Sequence, residues 1–574
     1  MTNVNCRSQR GSRYIVRMLN RRAVLTGTAA TAAGLVGATV IGATPALAAD
    51  AVAGDGCSQA TNPAATVLPG DARYPELTVG HNTRWVGTPD SVQVVYNTNQ
   101  VVAAVQAAVT AGKRISVRGG GHCYADFVFN SSVQTVIDMS QMNGVYFDTT
   151  LNAFAVEGGA TLLDAYQSLY EGWGVAIPGG MCYSVGVGGH VAGGGFGLLS
   201  RQFGITVDHL YAVEVVTVNS SGQACAVVAT RQPNDPNQEL WWAHTGGGGG
   251  NFGVVTRYFF RSPNATGTVP ADQLMSPPQN VYLSAVSLPW SDFNATTFAT
   301  LVANYGNWHA ANSTTSSASY GLTSILVMNH VSNGNIGIIT QLDASTPNAT
   351  QLITAYLEAL TANTGVVPAP LNTSVAEQGP LPAFFNPVEV PWLTSVKLLG
   401  TNNPALTNPT LRSANKSAYH RAPFTAAQAA TLYSALTTTS FSNPNANVML
   451  FGYGSQVNTV ASSATASGQR DSVFKAFYST QWSAASDDAS NTSWLQQVYS
   501  SVYSATGGYP VSNAQTDGCY VNYPDMDITD PAQNTSGVPW STLYYKSGYA
   551  RLQQVKQDHD PLDVFQHPQS VALP

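Results

Sequence analysis

From about residue 90 the chain alternates short apolar runs of period two with longer runs whose apolar positions recur every three to four residues. Val92-Gln93-Val94-Val95-Tyr96 predicts a strand. Asn97 or Thr98 then caps a helix with Val101, Val102, Val105 and Val109 on one side, and Gly112 ends it. Ile115-Ser116-Val117 predicts the next strand, which runs straight into three glycines. Further strands are predicted at Val136-Ile137-Asp138, Ala153-Phe154-Ala155-Val156, Ala212 to Val218 and Gly253 to Tyr258. A helix from Thr161 to Gly172 turns Leu162, Leu163, Ala165, Tyr166 and Leu169 inward. Residues 75–262 therefore read as an α+β domain.

Residues 263 to 280 are rich in Pro, Asn, Ser and Thr and read as a linker. Beyond it, β-prone runs such as Tyr282 to Leu288 mix with helical ones such as Asn348 to Thr361. Residues 263–505 are thus expected to form a second α+β domain, a sheet with covering helices and one face open to a ligand. Residues 506–574 make a C-terminal segment. No internal repeat is present.

Only 10% of the 574 residues are charged, well under the usual quarter, so Thr, Ser, Asn and Gln must clothe the surface. A net charge of -7, with no Lys/Arg cluster after residue 22, argues against a nucleic-acid partner or an anionic membrane surface. Before that point lie Arg7, Arg10, Arg13, Arg17, Arg21 and Arg22, then an uncharged run from Ala23 to Thr44, then Ala46-Leu47-Ala48. Residues 1–48 are expected to be a twin-arginine-type signal peptide. An ordinary secretory signal or a membrane anchor is the alternative, but an anchor needs roughly 20 strongly apolar residues and this run is mostly Ala, Gly and Thr. Five cysteines follow it, Cys57, Cys123, Cys182, Cys225 and Cys519, so an odd one stands outside any disulfide. No Cys/His spacing suits zinc, and no metal site is expected.

The chemistry concentrates in glycine-rich turns. In Arg118-Gly119-Gly120-Gly121-His122 the glycines allow positive φ and let backbone N–H groups face an anion, with Arg118 placed to help hold a pyrophosphate. The bland alternative is a tight turn beside an incidental histidine. The second turn runs from Pro178-Gly179-Gly180-Met181-Cys182 through Gly186, Gly188, Gly189 and His190 to Gly193-Gly194-Gly195-Phe196. So much glycine is costly in entropy and tolerable where a ligand rests on the backbone. The spacing is not the GxGxxG of a dinucleotide fold opening a helix. A third run, Glu239-Leu240-Trp241-Trp242-Ala243-His244-Thr245 followed by Gly246 to Gly250 and Asn251-Phe252-Gly253-Val254-Val255-Thr256, is again glycine-dense. Near the end stand Tyr520-Val521-Asn522-Tyr523-Pro524-Asp525 and a Tyr/Lys-rich tail from Leu543 to Phe565.

In this order the motifs resemble the berberine-bridge-enzyme-like FAD-linked oxidases across nearly the whole chain after residue 48, and within them the bacterial branch that tailors glycosylated natural products. The resemblance implies a vanillyl-alcohol-oxidase/PCMH-type FAD-binding domain in two segments, 75–262 and 506–574, with the substrate domain between them. It implies FAD bonded through its 8α carbon to His122 and through C6 to Cys182. Arg118, Gly119, Gly120, Gly121, Gly179, Gly180, Gly186, Gly189, His190, Gly193, Gly194, Gly253, Val254 and Asn522 would cradle the cofactor. Double attachment raises the flavin potential in this family and permits an open cleft.

Alcohol oxidation also needs a base within hydrogen-bond reach of the substrate hydroxyl. By resemblance that base is Tyr523, with Tyr520 the second choice; in a strand the two would face opposite ways. A free tyrosine, with a pKa of roughly 10, is a weak base near neutrality unless a cation or donor favours its phenolate. Lys416 and Tyr419 are the candidates for that help and for substrate contact, unless they lie in a surface loop. Phe196, also expected at the substrate, stands where the resembled oxidases carry a tyrosine that assists the base. The expectation is a secreted, monomeric oxidase of a sugar or sugar-bearing natural product, with O2 reduced to H2O2 and no membrane anchor. Alternatives are a flavin dehydrogenase or an oxidative cyclase acting on a polyketide or alkaloid, and a non-enzymatic carbohydrate-binding or structural protein.

Overall fold

The computed structural model describes residues 62–400, 403 and 408–574, all in the unit that runs from Val52 to Pro574. The expected signal segment, residues 1–48, and Cys57 lie outside the described residues.

Three sheets organise the chain. The first has the order β1-β2-β4-β3, from β1 (Ala65–Val67), β2 (Ser91–Val94), β3 (Ile115–Arg118) and β4 (Thr135–Asp138). β2, β4 and β3 are parallel, and α1 (Thr98–Thr110) makes the crossover from β2 to β3. The Asn97 side chain caps α1 by accepting from the Gln100 N–H at 3.0 Å. Val101, Val102 and Val105 on one side of α1 are buried, each worth about 1.5–3 kcal/mol of transfer from water.

The second sheet is antiparallel, in the order β5-β6-β9-β7-β8: β5 (Val145–Asp148), β6 (Ala153–Glu157), β7 (Leu210–Val218), β8 (Ala224–Thr230) and β9 (Val254–Phe260). Between β6 and β7 lie α2 (Leu162–Trp173) and the short α3 (Val187–Ala192), separated by the second glycine turn. Thr161 and Asp164 form a reciprocal capping box on α2, and Gly174 ends it in the left-handed region at φ 71°. The stretch 263–280 is anchored rather than loose. Leu274 and Met275 are buried, and the Ala176 N–H donates to the Met275 carbonyl at 2.9 Å.

The third sheet runs β13-β10-β12-β11-β16-β17-β15, with β14 pairing β10, all antiparallel. Its strands are β10 (Asn280–Pro289), β11 (Thr323–Asn329), β12 (Asn335–Asp343), β13 (Ala369–Pro370), β14 (Val388–Pro391), β15 (Arg412–His420), β16 (Asn447–Gly452) and β17 (Phe474–Trp482). Side chains alternate across such a sheet. One set (Leu326, Met328, Ile338, Leu450) packs with α4 (Ala295–Ala311), α5 (Ala349–Thr361), α6 (Ala426–Leu436) and α7 (Asp488–Val502). The other set (Ile325, Val327, Met449, Phe477) packs with Tyr124, Met181, Leu198 and Tyr523 from outside the sheet.

The tail closes back on the third glycine run. α8 (Tyr549–His559) carries the fully buried Lys556, which pairs with Asp560 at 2.7 Å and donates to the Asn251 carbonyl at 2.9 Å. The Val571 N–H donates to Asn251 Oδ1 at 2.9 Å, and the Tyr545 hydroxyl donates to the Gly247 carbonyl at 3.1 Å. The Lys/Asp pattern of the C-terminal motif is thus a clasp that shapes the Gly246–Asn251 turn. Among the described residues no helix is long and apolar enough to cross a membrane, and no three His, Cys, Asp or Glu cluster to hold a metal.

Candidate active site

A cavity of about 340 Å³ lies among the three glycine turns, the Tyr520–Tyr523 segment and one face of the third sheet. β3 delivers Arg118, Gly119, Gly120, Gly121 and His122 to its wall, and the second turn delivers Gly180, Cys182, Gly186, Gly189, His190 and Phe196. Gly253, Val254, Tyr520, Asn522 and Tyr523 complete the predicted residues that line it.

Backbone packs on backbone where the first two turns cross. A Cβ on Gly120 would sit 2.3 Å from the Gly186 nitrogen, and one on Gly186 would sit 2.3 Å from the Gly120 nitrogen. Gly189 is different: a Cβ there would meet no atom within 4 Å. Bare main chain therefore faces open volume at Gly189, as a flat ligand resting on backbone requires. Gly180 and Gly253 are crowded by neighbouring protein, whereas Gly119 and Gly121 have room for a Cβ, and Gly121 is set apart by its positive φ of 74°. Gly179, Gly193 and Gly194 do not line the cavity. Added Cβ atoms there would run into Tyr166, Asn522 and Ser467 respectively.

Two nucleophilic side chains of the cavity wall, His122 and Cys182, flank one serine. The His81 ring stacks on the His122 ring with centroids 4.3 Å apart, and the His81 N–H donates to the Gly121 carbonyl at 2.8 Å. Burial, and then His81, push the His122 imidazole down to about 3, so it is neutral at physiological pH. The Ser184 hydroxyl lies 3.1 Å from His122 Nε2 and 3.6 Å from Cys182 Sγ. Cys182 is in no disulfide, whereas Cys225 is disulfide-bonded. Arg118 does not face the cavity as an unpaired cation. Its guanidinium is held at 2.6 Å by the fully buried Asp138. His190 accepts from the Gly180 N–H at 3.0 Å and braces the second turn.

Aromatic rings line the same cavity; burial raises the Tyr523 and Tyr124 phenols, and Cys182 lies near enough to raise both further. Tyr520 to Tyr523 do not form a strand. The Tyr523 N–H donates to the Tyr520 carbonyl at 3.0 Å, closing a turn. That turn brings the two rings edge to face, 5.0 Å apart, on one cavity wall. Asn522 braces it, donating to the His190 carbonyl at 2.8 Å and the Tyr520 hydroxyl at 3.0 Å. Among the described residues no group is hydrogen-bonded to the Tyr523 hydroxyl.

The cation expected at these tyrosines is a different lysine. Lys416 lies on the opposite face of β15, buried between Asp525 and Asp527 at 2.7 Å each, away from the cavity. Tyr419 sits behind Tyr520, with rings 6.0 Å apart, and does not line the cavity either. Lys475 on β17 takes the place assigned to Lys416. It lies behind the cavity wall, fully buried; among the described residues its Nζ has no hydrogen-bond partner, and it lies 4.1 Å from the Tyr520 ring, 4.2 Å from Phe196 and 4.7 Å from Tyr523. Burial holds its amine well below the ordinary lysine range.

Glu377 also lines the cavity, its carboxyl pushed up to about 7 by burial, and Tyr124 packs edge-on to Tyr523 at 6.0 Å. Sequence reasoning missed Lys475, Glu377, Tyr124, His81 and Ser184. One signal was there to read: Val473-Phe474-Lys475-Ala476-Phe477 puts a lone charge inside an otherwise apolar strand.

Residues 89–225 match the family described as FAD binding domain, and residues 519–572 the family described as berberine and berberine like. Aclacinomycin-N/aclacinomycin-A oxidase of Streptomyces galilaeus is 46% identical over 88% of this chain and 89% of its own length. Hexose oxidase of Chondrus crispus is 29% identical over 87% and 93%. The crystal structure of a glycopeptide hexose oxidase complexed with teicoplanin superposes with a TM-score of 0.82 at 42% identity, over 88% of this chain and 98% of that one. On these likenesses the chain belongs to the berberine-bridge-enzyme-like family of FAD-dependent oxidoreductases, with the α+β fold of the vanillyl-alcohol-oxidase/PCMH type.

Proposed function

We propose that this protein is an exported oxidase that carries FAD bonded to His122 and Cys182 and oxidises an alcohol carbon of a sugar or glycosylated natural product, with O2 as acceptor and H2O2 as product. The observation that carries this reading is one cavity lined by His122, Cys182 and Tyr523, with Ser184 beside both attachment candidates. The relatives that act on hexoses and on aclacinomycin support the substrate class. The basic leader of residues 7–22 supports export by the twin-arginine route.

The residues present fit an FAD: bare backbone at Gly189, two nucleophiles in reach of one wall, and the Gly246–Gly250 turn held by the C-terminal clasp. Bound there, a flavin would supply the hydride acceptor and the route for two electrons to O2.

The protein's part is positional and protolytic. Tyr523 takes the substrate hydroxyl proton. Tyr520 is the weaker candidate because its hydroxyl already accepts from Asn522. Burial raises the Tyr523 phenol well above its usual range, so it needs a compensating charge. Lys475, a neutral amine at rest, supplies that charge by taking up the phenol proton: the ammonium it becomes, 4.7 Å from the Tyr523 ring, stabilises the phenolate in low dielectric. Phe196 walls the same lysine without offering a hydroxyl. Glu377, from the chain between β13 and β14, is placed to accept hydrogen bonds from sugar hydroxyls.

The test is oxygen uptake and peroxide release on a panel of free and aglycone-linked sugars, paired with flavin fluorescence of the denatured chain. Tyr523→Phe is expected to lower kcat by about 10²–10⁴-fold while flavin content stays at the wild-type level. Turnover without peroxide would transfer the protein to the dehydrogenases. A Tyr523→Phe enzyme at full kcat would remove this base.

A further inference from the structure

We propose that Ser184 is the positioning residue for cofactor attachment: its hydroxyl accepts a hydrogen bond from His122 Nε2–H and donates one to the Cys182 sulfur, so one side chain sets both nucleophiles. The inference rests on the reading that FAD is bonded at His122 and Cys182.

Ser184 Oγ is 3.1 Å from Nε2 and 3.6 Å from Sγ, both within hydrogen-bonding range for their atom types. A hydroxyl has one proton to give and two lone pairs to receive with, so it serves both partners at once. When it receives from Nε2–H, the imidazole is held in the tautomer whose Nδ1 carries the lone pair. Nδ1 is then the nitrogen that bonds to carbon. When it gives to sulfur, the hydrogen bond favours the thiolate, the reactive form of cysteine. His81, stacked 4.3 Å away at 19°, fixes the ring plane.

The neighbouring Cys123 shows what lacks this help. Its thiol donates to the Ala125 carbonyl at 3.3 Å and is pushed up to about 11 by burial, so it stays protonated. Ser184 itself is exposed, so its replacement does not disturb the core.

Each attachment balances as nucleophile–H plus a flavin C–H (of the 8α methyl for His122, of ring C6 for Cys182) plus O2 giving the nucleophile–C bond plus H2O2. An N–H or S–H bond and a C–H bond break. The two protons and two electrons pass through the flavin to dioxygen, the oxidant of the proposed reaction. Ser184 enters only by aiming lone pairs and stabilising the thiolate.

The experiment compares full-length wild type with Ser184→Ala, Ser184→Val and Ser184→Thr, each produced with FAD under air and sampled over time. Denaturing intact mass counts chains with two, one or no flavin bonds. In wild type both bonds form. Ser184→Ala and Ser184→Val are expected to form both bonds at least about tenfold more slowly, the worth of one hydrogen bond of about 1.4 kcal/mol. Ser184→Thr, isosteric with Val but with the hydroxyl restored, is expected within about threefold of wild type. Titrating the fluorescence of the isolated histidyl-flavin peptide is expected to show attachment at Nδ1. Attachment through Nε2, or Ala and Val variants that match wild type in both bonds, would overturn the proposal. Wild type without any covalent flavin would instead sink the parent reading, so the two failures are distinguishable.

Discussion

Lys416 and Lys475 lie on neighbouring strands of one sheet, and both are buried, but on opposite faces. On the helix-packed face, Lys416 is answered by Asp525 and Asp527 and is further stitched to the Tyr509 hydroxyl. On the cavity face, Lys475 has only rings around it and no counter-ion or hydrogen bond. A buried charge that is fully partnered is part of the architecture. A buried amine left without a partner is costly, and it is retained where something other than stability is served. The contrast separates the supporting face of the sheet from its working face.

The largest effect should come from the partnered lysine. Lys416→Met leaves Asp525 buried without its cation and is expected to cost about 3–5 kcal/mol, read as a lowered denaturant midpoint. Asp525 is already pushed up by burial, so part of that loss will appear as proton uptake.

The unpartnered lysine should behave oppositely. Lys475→Met is expected to stabilise the fold at neutral pH by on the order of 2 kcal/mol. The sign follows from the depressed amine. The unfolded chain holds a proton on Lys475 that the folded chain lacks, so wild-type stability climbs with pH until the free lysine value of roughly 10.4, and the Met variant loses that slope. Turnover should move the other way. Without the amine that takes up its proton, the Tyr523 phenolate forms only at higher pH, so the kcat profile of Lys475→Met shifts alkaline. A variant with unchanged stability slope and unchanged profile would erase the distinction between the faces.

Tyr520→Phe should be smallest, about 1 kcal/mol on kcat, because Tyr520 acts through the edge-to-face contact and the Asn522 hydrogen bond rather than on substrate. A loss as large as that of Tyr523→Phe would exchange their roles.

Much of this molecule is legible in its amino acids alone. The Asn97 cap, the Thr161 start and the strands around Val92, Ile115 and Val254 obey local rules of capping and periodicity, which need no distant partner. The glycine turns carrying His122 and Cys182 stand out because only glycine lets Gly120 and Gly186 touch. The tyrosine motif was also visible, but its shape was not. A backbone hydrogen bond from Tyr523 to Tyr520 turned an expected strand into a turn and put both rings on one wall.

What tertiary structure alone decided is which charge faces which ring. Lys416 and Lys475 look alike along the chain, because each sits amid residues that suit a strand. Strand parity assigns them to opposite faces only once the register of β15 against β17 is set. Partners then come from elsewhere: Asp525 from 109 residues away for one, Phe196 and the Tyr520–Tyr523 turn for the other. Local sequence governs the backbone path because its forces act over a few residues. The electrostatics of a buried site arises from groups that meet only when the chain has closed on itself.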